Sequence, residues 1–154
     1  MKKSHIEKPS VPVRKMFRSV GRSSGGAAES VPPWAQEAWA AYGAMTEKQQ
    51  QRALKHRFSF DPGRSGADWE YPEIRLDGEE YICCVSYIGP GVCDFLDLVR
   101  DLKDGDDVCF TWTSETSFAH WSFSRRGSVI YVVFPHMTEG IYMDYSAFDR
   151  AVRG

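Results

Sequence analysis

The sequence predicts an α+β domain: an antiparallel sheet of about five to six strands, one central helix (94–104) covering it, a helical hairpin on the N-terminal side and a short C-terminal helix. Three observations carry this. The stretch Asp94–Gly105, DFLDLVRDLKDG, puts Phe95, Leu98, Val99 and Leu102 at i, i+3, i+4 and i+7, one apolar stripe along a helix. Segments with strand-like patterning stand on both sides of it. Asp77-Gly78 joins two of those segments, and both residues accept the positive φ that a two-residue hairpin turn requires.

In chain order, residues 1–30 read as a disordered basic arm. Pro9, Pro12, Gly25-Gly26 and scattered serines defeat helix and strand alike. Pro32 and Pro33 open a helix in which Trp34, Ala38 and Tyr42 share a face, with Trp39 beside it. Thr46-x-x-Gln49 is a capping box for a second helix reaching about His56. Phe58 and Phe60 flank Ser59 in a short strand, and Asp61–Gly66 is a loop by composition. Glu73–Leu76 and Glu80–Ile88 are the arms of the hairpin, the second apolar on both faces and so expected to be a covered, central strand. Asp94 is the expected N-cap of the central helix and Gly105 its left-handed end. Strands follow at 108–113, 119–124 and 129–134, with Ile141–Met143 as a last edge and Ser146 capping the final helix. The pairs 73–88 and 107–134 need no crossover within themselves, so both are read as antiparallel.

The bulk numbers bound the function. In 154 residues, 14% are aromatic, and large rings supply a core although only 42% are apolar. There is no run of 18 apolar residues to span a membrane and no apolar secretory leader. Cys83, Cys84, Cys93 and Cys109 lie in or beside apolar segments, which points to reduced thiols and a cytoplasmic location. The net charge of -2 conceals an asymmetry: +5 over residues 1–30 and -7 over residues 31–154. Between Asp61 and Asp107 there are thirteen acids and four bases, a local net of -9. Such a surface disfavours nucleic acid as a direct ligand of the domain and favours a basic partner or a cation. The arm reads as a solvated tail, a tether to nucleic acid, or an Arg- and Ser-rich presequence.

No motif assigns a catalytic residue, a metal or a cofactor. The cysteines lack C-x2-C spacing, and adjacent residues on a strand point to opposite faces, so structural zinc is not expected. Gly89-x-Gly91 lies where a dinucleotide loop would, but a third glycine is missing and Asp94 would repel a phosphate from the helix N-terminus. A calcium loop closing on a glutamate is absent around Asp104-x-Asp106-Asp107. There is no G-x-S-x-G elbow; His120 and His136, with Asp144 as orienter, are the residues a small hydrolase-type enzyme would use. What remains is charge. Asp94, Asp97, Asp101 and Asp104 repeat at i, i+3, i+7 and i+10 opposite the apolar stripe, and Asp106 and Asp107 extend them. Like charges at this spacing cost about a few tenths of a kcal/mol each, so they either form an ordinary solvated face or serve to steer a cationic partner.

The hairpin, the DFLxLVxxLxxG helix, the Phe110-x-Trp112 strand, the Trp121-x-Phe123 strand and the Val129–Phe134 strand together resemble the small bacterial immunity proteins of polymorphic and contact-dependent toxin systems. The resemblance covers about Phe58–Arg153, and the basic arm departs from it. It implies a small, non-enzymatic plug that neutralises a toxin domain, often a basic nuclease. The expectation is therefore a protein-binding module that uses Asp97, Asp101, Asp104, Asp106 and Asp107 against a basic protein, with Trp112 as a candidate anchor. The alternatives are a nucleic-acid-associated adaptor tethered by residues 1–30, and the His120/His136 enzyme.

Overall fold

The computed structural model of the chain describes residues 31–63, 69–86, 89–114 and 117–154. The basic arm, and the end of the expected strand at Ile88, lie outside the described residues.

The architecture is α+β with antiparallel pairing throughout the described sheets. Two helices, α1 (Pro33–Gly43) and α2 (Glu47–Ala53), precede the strands β1 (Phe58–Asp61), β2 (Trp69–Glu70), β3 (Glu73–Leu76), β4 (Glu79–Ile82) and β5 (Val85–Ser86). Helix α3 (Val92–Arg100) leads into β6 (Asp107–Thr113), β7 (Phe118–Arg126), β8 (Val129–Val133) and β9 (Ile141–Asp144), and α4 (Tyr145–Arg153) ends the fold.

The single sheet of five to six strands is not what forms. There are three: β1-β3-β4, β2-β5 and the meander β6-β7-β8-β9. One register nevertheless runs through both hairpin sheets, with Glu73 opposite Ile82 and Glu70 opposite Val85. The ladder is interrupted at Pro72, which has no N–H to give; only the Cys83 N–H→Pro72 O bond, 3.0 Å, is made there. The strand expected at 80–88 is accordingly split in two. It is also not covered on both faces, since Ile82 and Cys84 are exposed. The turn itself follows the sequence: Asp77 and Gly78 have φ of 52° and 92°. The Asp77 carboxylate also accepts the Arg57 N–H, 2.8 Å, and meets His56 Nδ1 at 2.8 Å.

The expected helical hairpin is corrected as well. Thr46 does cap α2 with the reciprocal Gln49 bonds, 3.1 and 2.8 Å. But α2 has no buried residue and so no apolar face to lay against α1. Helix α1 is instead anchored on the meander: Trp39 Nε1 donates to Ser124 Oγ, 2.7 Å, and Tyr142 OH donates to the Ala38 carbonyl, 2.7 Å.

The central helix is displaced towards the N-terminus relative to the expected 94–104. It begins at Val92 behind Gly91, so Asp94 stands in the first turn and not at the N-cap; its carboxylate accepts the Gly91 N–H, 2.8 Å. Glu70 reaches across from β2 to accept the Val92 N–H, 3.0 Å. The helix stops at Arg100 because carboxylates downstream take amides that a longer helix would use: Asp106 accepts the Lys103 N–H, 2.8 Å. Gly105 keeps its left-handed conformation, φ 97°, in the turn beyond. The last helix is capped by Asp144 rather than Ser146, through the Ala147 N–H at 3.1 Å.

The core lies on one face of the meander. Val108, Phe110, Trp112, Trp121, Phe123, Ile130, Val132 and Met143 present it, and α3, α4 and the inner face of the three-stranded sheet close over it. Phe95 is at its centre, fully buried, with ring centroids 4.5 Å from Trp121, 5.1 Å from Trp112, 5.2 Å from Phe60, 5.9 Å from Phe110 and 6.0 Å from Phe123. Phe148 of α4 joins through Phe58 and Phe123. Truncating Phe95 to alanine removes a ring shared by two sheets and leaves a cavity that rigid neighbours cannot fill. Phe95→Ala is expected to cost about 3–5 kcal/mol, read from the midpoint of urea unfolding at constant slope.

Candidate functional site

The six residues expected to contact a partner divide into three groups. Asp97 and Asp101 stand on solvent, their side chains 61% and 68% exposed, on either side of Arg100 at 3.0 and 3.2 Å. Asp101 is the C-cap of α3, so the helical stripe ends with it.

Asp104, Asp106 and Asp107 are occupied within the fold. Asp104 is in the turn after α3, and its carboxylate accepts the Gly127 N–H at 2.7 Å. Asp106 is buried; besides accepting the Lys103 N–H, it holds β7 through the Arg125 N–H→Asp106 O bond, 3.0 Å. Asp107 pairs with Arg126 at 3.0 Å and accepts from Ser124 Oγ. Ser124 in turn receives Trp39 Nε1, so a polar chain Trp39–Ser124–Asp107–Arg126 fastens α1 beneath the meander. These carboxylates fix the turn and the α1 interface; Asp106 and Asp107 are largely enclosed by it, while Asp104 remains exposed.

Trp112 belongs to the core. It has no exposed surface, and its Nε1 donates to the Gly91 carbonyl at 3.2 Å. An anchor must reach a partner's pocket, and Trp112 has no path to one. Trp121 is equally buried, with its Nε1 unpartnered among the described residues.

His120 stands apart from the expected orienter. His120 Nδ1 lies 3.0 Å from Thr111 Oγ1, and its ring stacks on Phe118. His136 sits in the turn after β8 with φ 71°. Asp144 is level with Val129 and Arg126 across the sheet, six residues along β7 from His120. At about 3.3 Å per residue this is roughly 20 Å, too far for Asp144 to orient that ring. Asp144 is also taken up in capping α4.

The start of α3 carries two carboxylates, Asp94 and Glu70, on its free amides. A phosphate arriving there would meet negative charge where it needs donors. Among the described residues no three His, Cys, Asp or Glu side chains gather as a metal-ligand set, and no helix is long and apolar enough to cross a membrane.

Sequence reasoning missed the outer edge of the hairpin. On β4, Glu80 and Ile82 share the solvent face with Arg75 and Glu73 of β3 and with Ser59 and Asp61 of β1. Arg75 bridges Glu73 at 3.2 Å and Glu80 at 2.9 Å, and Ile82 is 65% exposed. The signal was present: a two-residue Asp-Gly turn fixes the phase of both strands.

Comparison of the chain with family models, with characterised proteins and with solved structures finds no match.

All four cysteines are free thiols, in two environments. Burial, reinforced by neighbouring Cys84, pushes the Cys83 thiol up to about 12, and Cys109 is also buried. Cys84 and Cys93 are exposed. A disulfide reagent at pH 8 is expected to titrate Cys84 and Cys93 rapidly in the native protein, and Cys83 and Cys109 only after denaturant is added, as peptide mapping would show.

Proposed function

We propose that the chain is a non-enzymatic, cytoplasmic protein-binding module of the immunity-like kind, which neutralises a basic partner such as a toxin domain through acidic side chains. The observation that supports this best is the exposure of Asp97 and Asp101. Phe95, Leu98 and Val99 direct the apolar side of α3 inward, so these two carboxylates are held outward on a helix fixed by the core. Arg100 offsets only one of the two charges. Exposed carboxylates on a rigid support act on a partner mainly through encounter rate and specificity, and their effect falls with salt. A buried carboxylate such as Asp106 adds to the field without forming contacts, whereas Asp104 is exposed beside the helix end. The adaptor alternative rests on residues 1–30, outside the described residues.

The test is capture of a basic protein from cell extract by the immobilised chain, followed by measurement of its binding to the purified chain at two salt concentrations. Asp97→Lys with Asp101→Lys is expected to weaken binding by about tenfold or more at low salt, with most of the loss in the association rate, and to flatten the salt dependence. Affinity and salt dependence unchanged by the double reversal would refute the electrostatic reading.

A further inference from the structure

We infer that the outer edge of β4, which pairs with no further strand among the described residues, is a peptide-docking site that takes up an extended basic segment as an added strand, and this inference rests on the basic-partner reading above. The backbone supports it first. The Cys83 N–H bonds to Pro72, and β3 and β4 are joined by a two-residue turn between Leu76 and Glu79. Antiparallel ladders alternate bonded and non-bonded pairs, so Glu79, Tyr81 and Cys83 direct their N–H and C=O groups to β3. Glu80 and Ile82 direct theirs out of the sheet, where β4 is the last strand in the order β1-β3-β4.

The side chains of the same two residues define what fits. They stand on the solvent face, Glu80 half exposed and Ile82 more so. An incoming strand bonded to Glu80 and Ile82 would place its own side chains directly beside theirs. Within β1, β3 and β4, Asp61, Glu73 and Glu80 share this face with one cation, Arg75, which already serves Glu73 and Glu80. The complementary segment therefore carries Lys or Arg opposite Glu80 and an aliphatic residue opposite Ile82, two positions apart. Backbone bonds supply affinity and the alternate side chains supply selection, as in strand addition generally. A second copy of this chain is the poorer occupant, because it would bring Glu79 and Glu80 against a face already rich in carboxylates.

The probe is a blocked nonapeptide alternating Thr with Lys and Val, titrated into the isotopically labelled full chain and followed by amide NMR shifts, with a Glu-for-Lys peptide as control. The expected result is perturbation centred on the Glu80 and Ile82 amides and absent with the control. Ile82→Pro removes one outward donor while sparing the bonds of Tyr81 and Cys83 to β3. It and Glu80→Lys are each expected to weaken binding about tenfold, whereas Asp97→Lys with Asp101→Lys leaves it nearly unchanged. The shifts in the unmodified chain decide the matter even if a variant fails to fold. Perturbation centred on α3, equal binding of the control peptide, or self-association through β4 without peptide would each overturn the proposal. No shift at all, with a basic protein still bound in a manner sensitive to Asp97 and Asp101, would sink the β4 site and leave the wider reading standing. Failure of both would remove both.

Discussion

Phe95 is the side chain on which the arrangement depends. One ring on α3 touches β1, β6 and β7, so the same contact seats the helix on the meander and holds the hairpin sheet against it. Aromatic rings in tilted contact contribute beyond the area they bury, and they tolerate little rotation of the helix that carries them. The orientation of α3 is therefore set from inside. Tyr145 secures it from the other flank by donating to the Val99 carbonyl at 2.6 Å, while Arg125 lies over the Tyr145 ring at 3.9 Å. Everything on the outer side of α3, including Asp97 and Asp101, is positioned by that inner constraint.

The carboxylates then serve two different ends. Those after the helix work on the backbone. Asp104, Asp106 and Asp107 bind amides, a guanidinium and a hydroxyl within the turn and β7, and Arg125 returns a bond from Nη1 to the Leu102 carbonyl at 2.7 Å. A turn so connected places β6 beside β7 and stops the helix at Arg100. Asp97 and Asp101 on the helix, and the carboxylates of the outer hairpin face, stand on solvent. A local net of -9 thus overstates the charge available for recognition, because part of it is neutralised inside the fold.

Much of the architecture was legible in the sequence. The apolar stripe at 95, 98, 99 and 102 is the buried side, the Asp77-Gly78 turn adopts the positive φ angles its residues favour, and the strands of the meander run where alternation puts them. What was not legible depends on partners distant in sequence. Asp94 reads as an N-cap until Gly91 and Glu70 are seen to share the helix start with it. The stripe of aspartates reads as one helical face until Asp104 and Asp106 are found on backbone amides. Ile82 reads as covered because apolar patterning reports composition, whereas exposure is decided by which sheet the strand ends. Of the candidate site, periodicity located Asp97 and Asp101, while the edge formed by Glu80 and Ile82 follows only from pairing phase.

Native-state hydrogen exchange tests most directly the claim that α3 and the meander form one unit through Phe95. If so, the bonded amides within α3 at Leu98 and Val99 exchange only by global unfolding, with the same free energy and denaturant dependence as the central amides of β7. Exchange of those α3 amides by a separate opening, of lower free energy and smaller denaturant dependence than β7, would contradict the account.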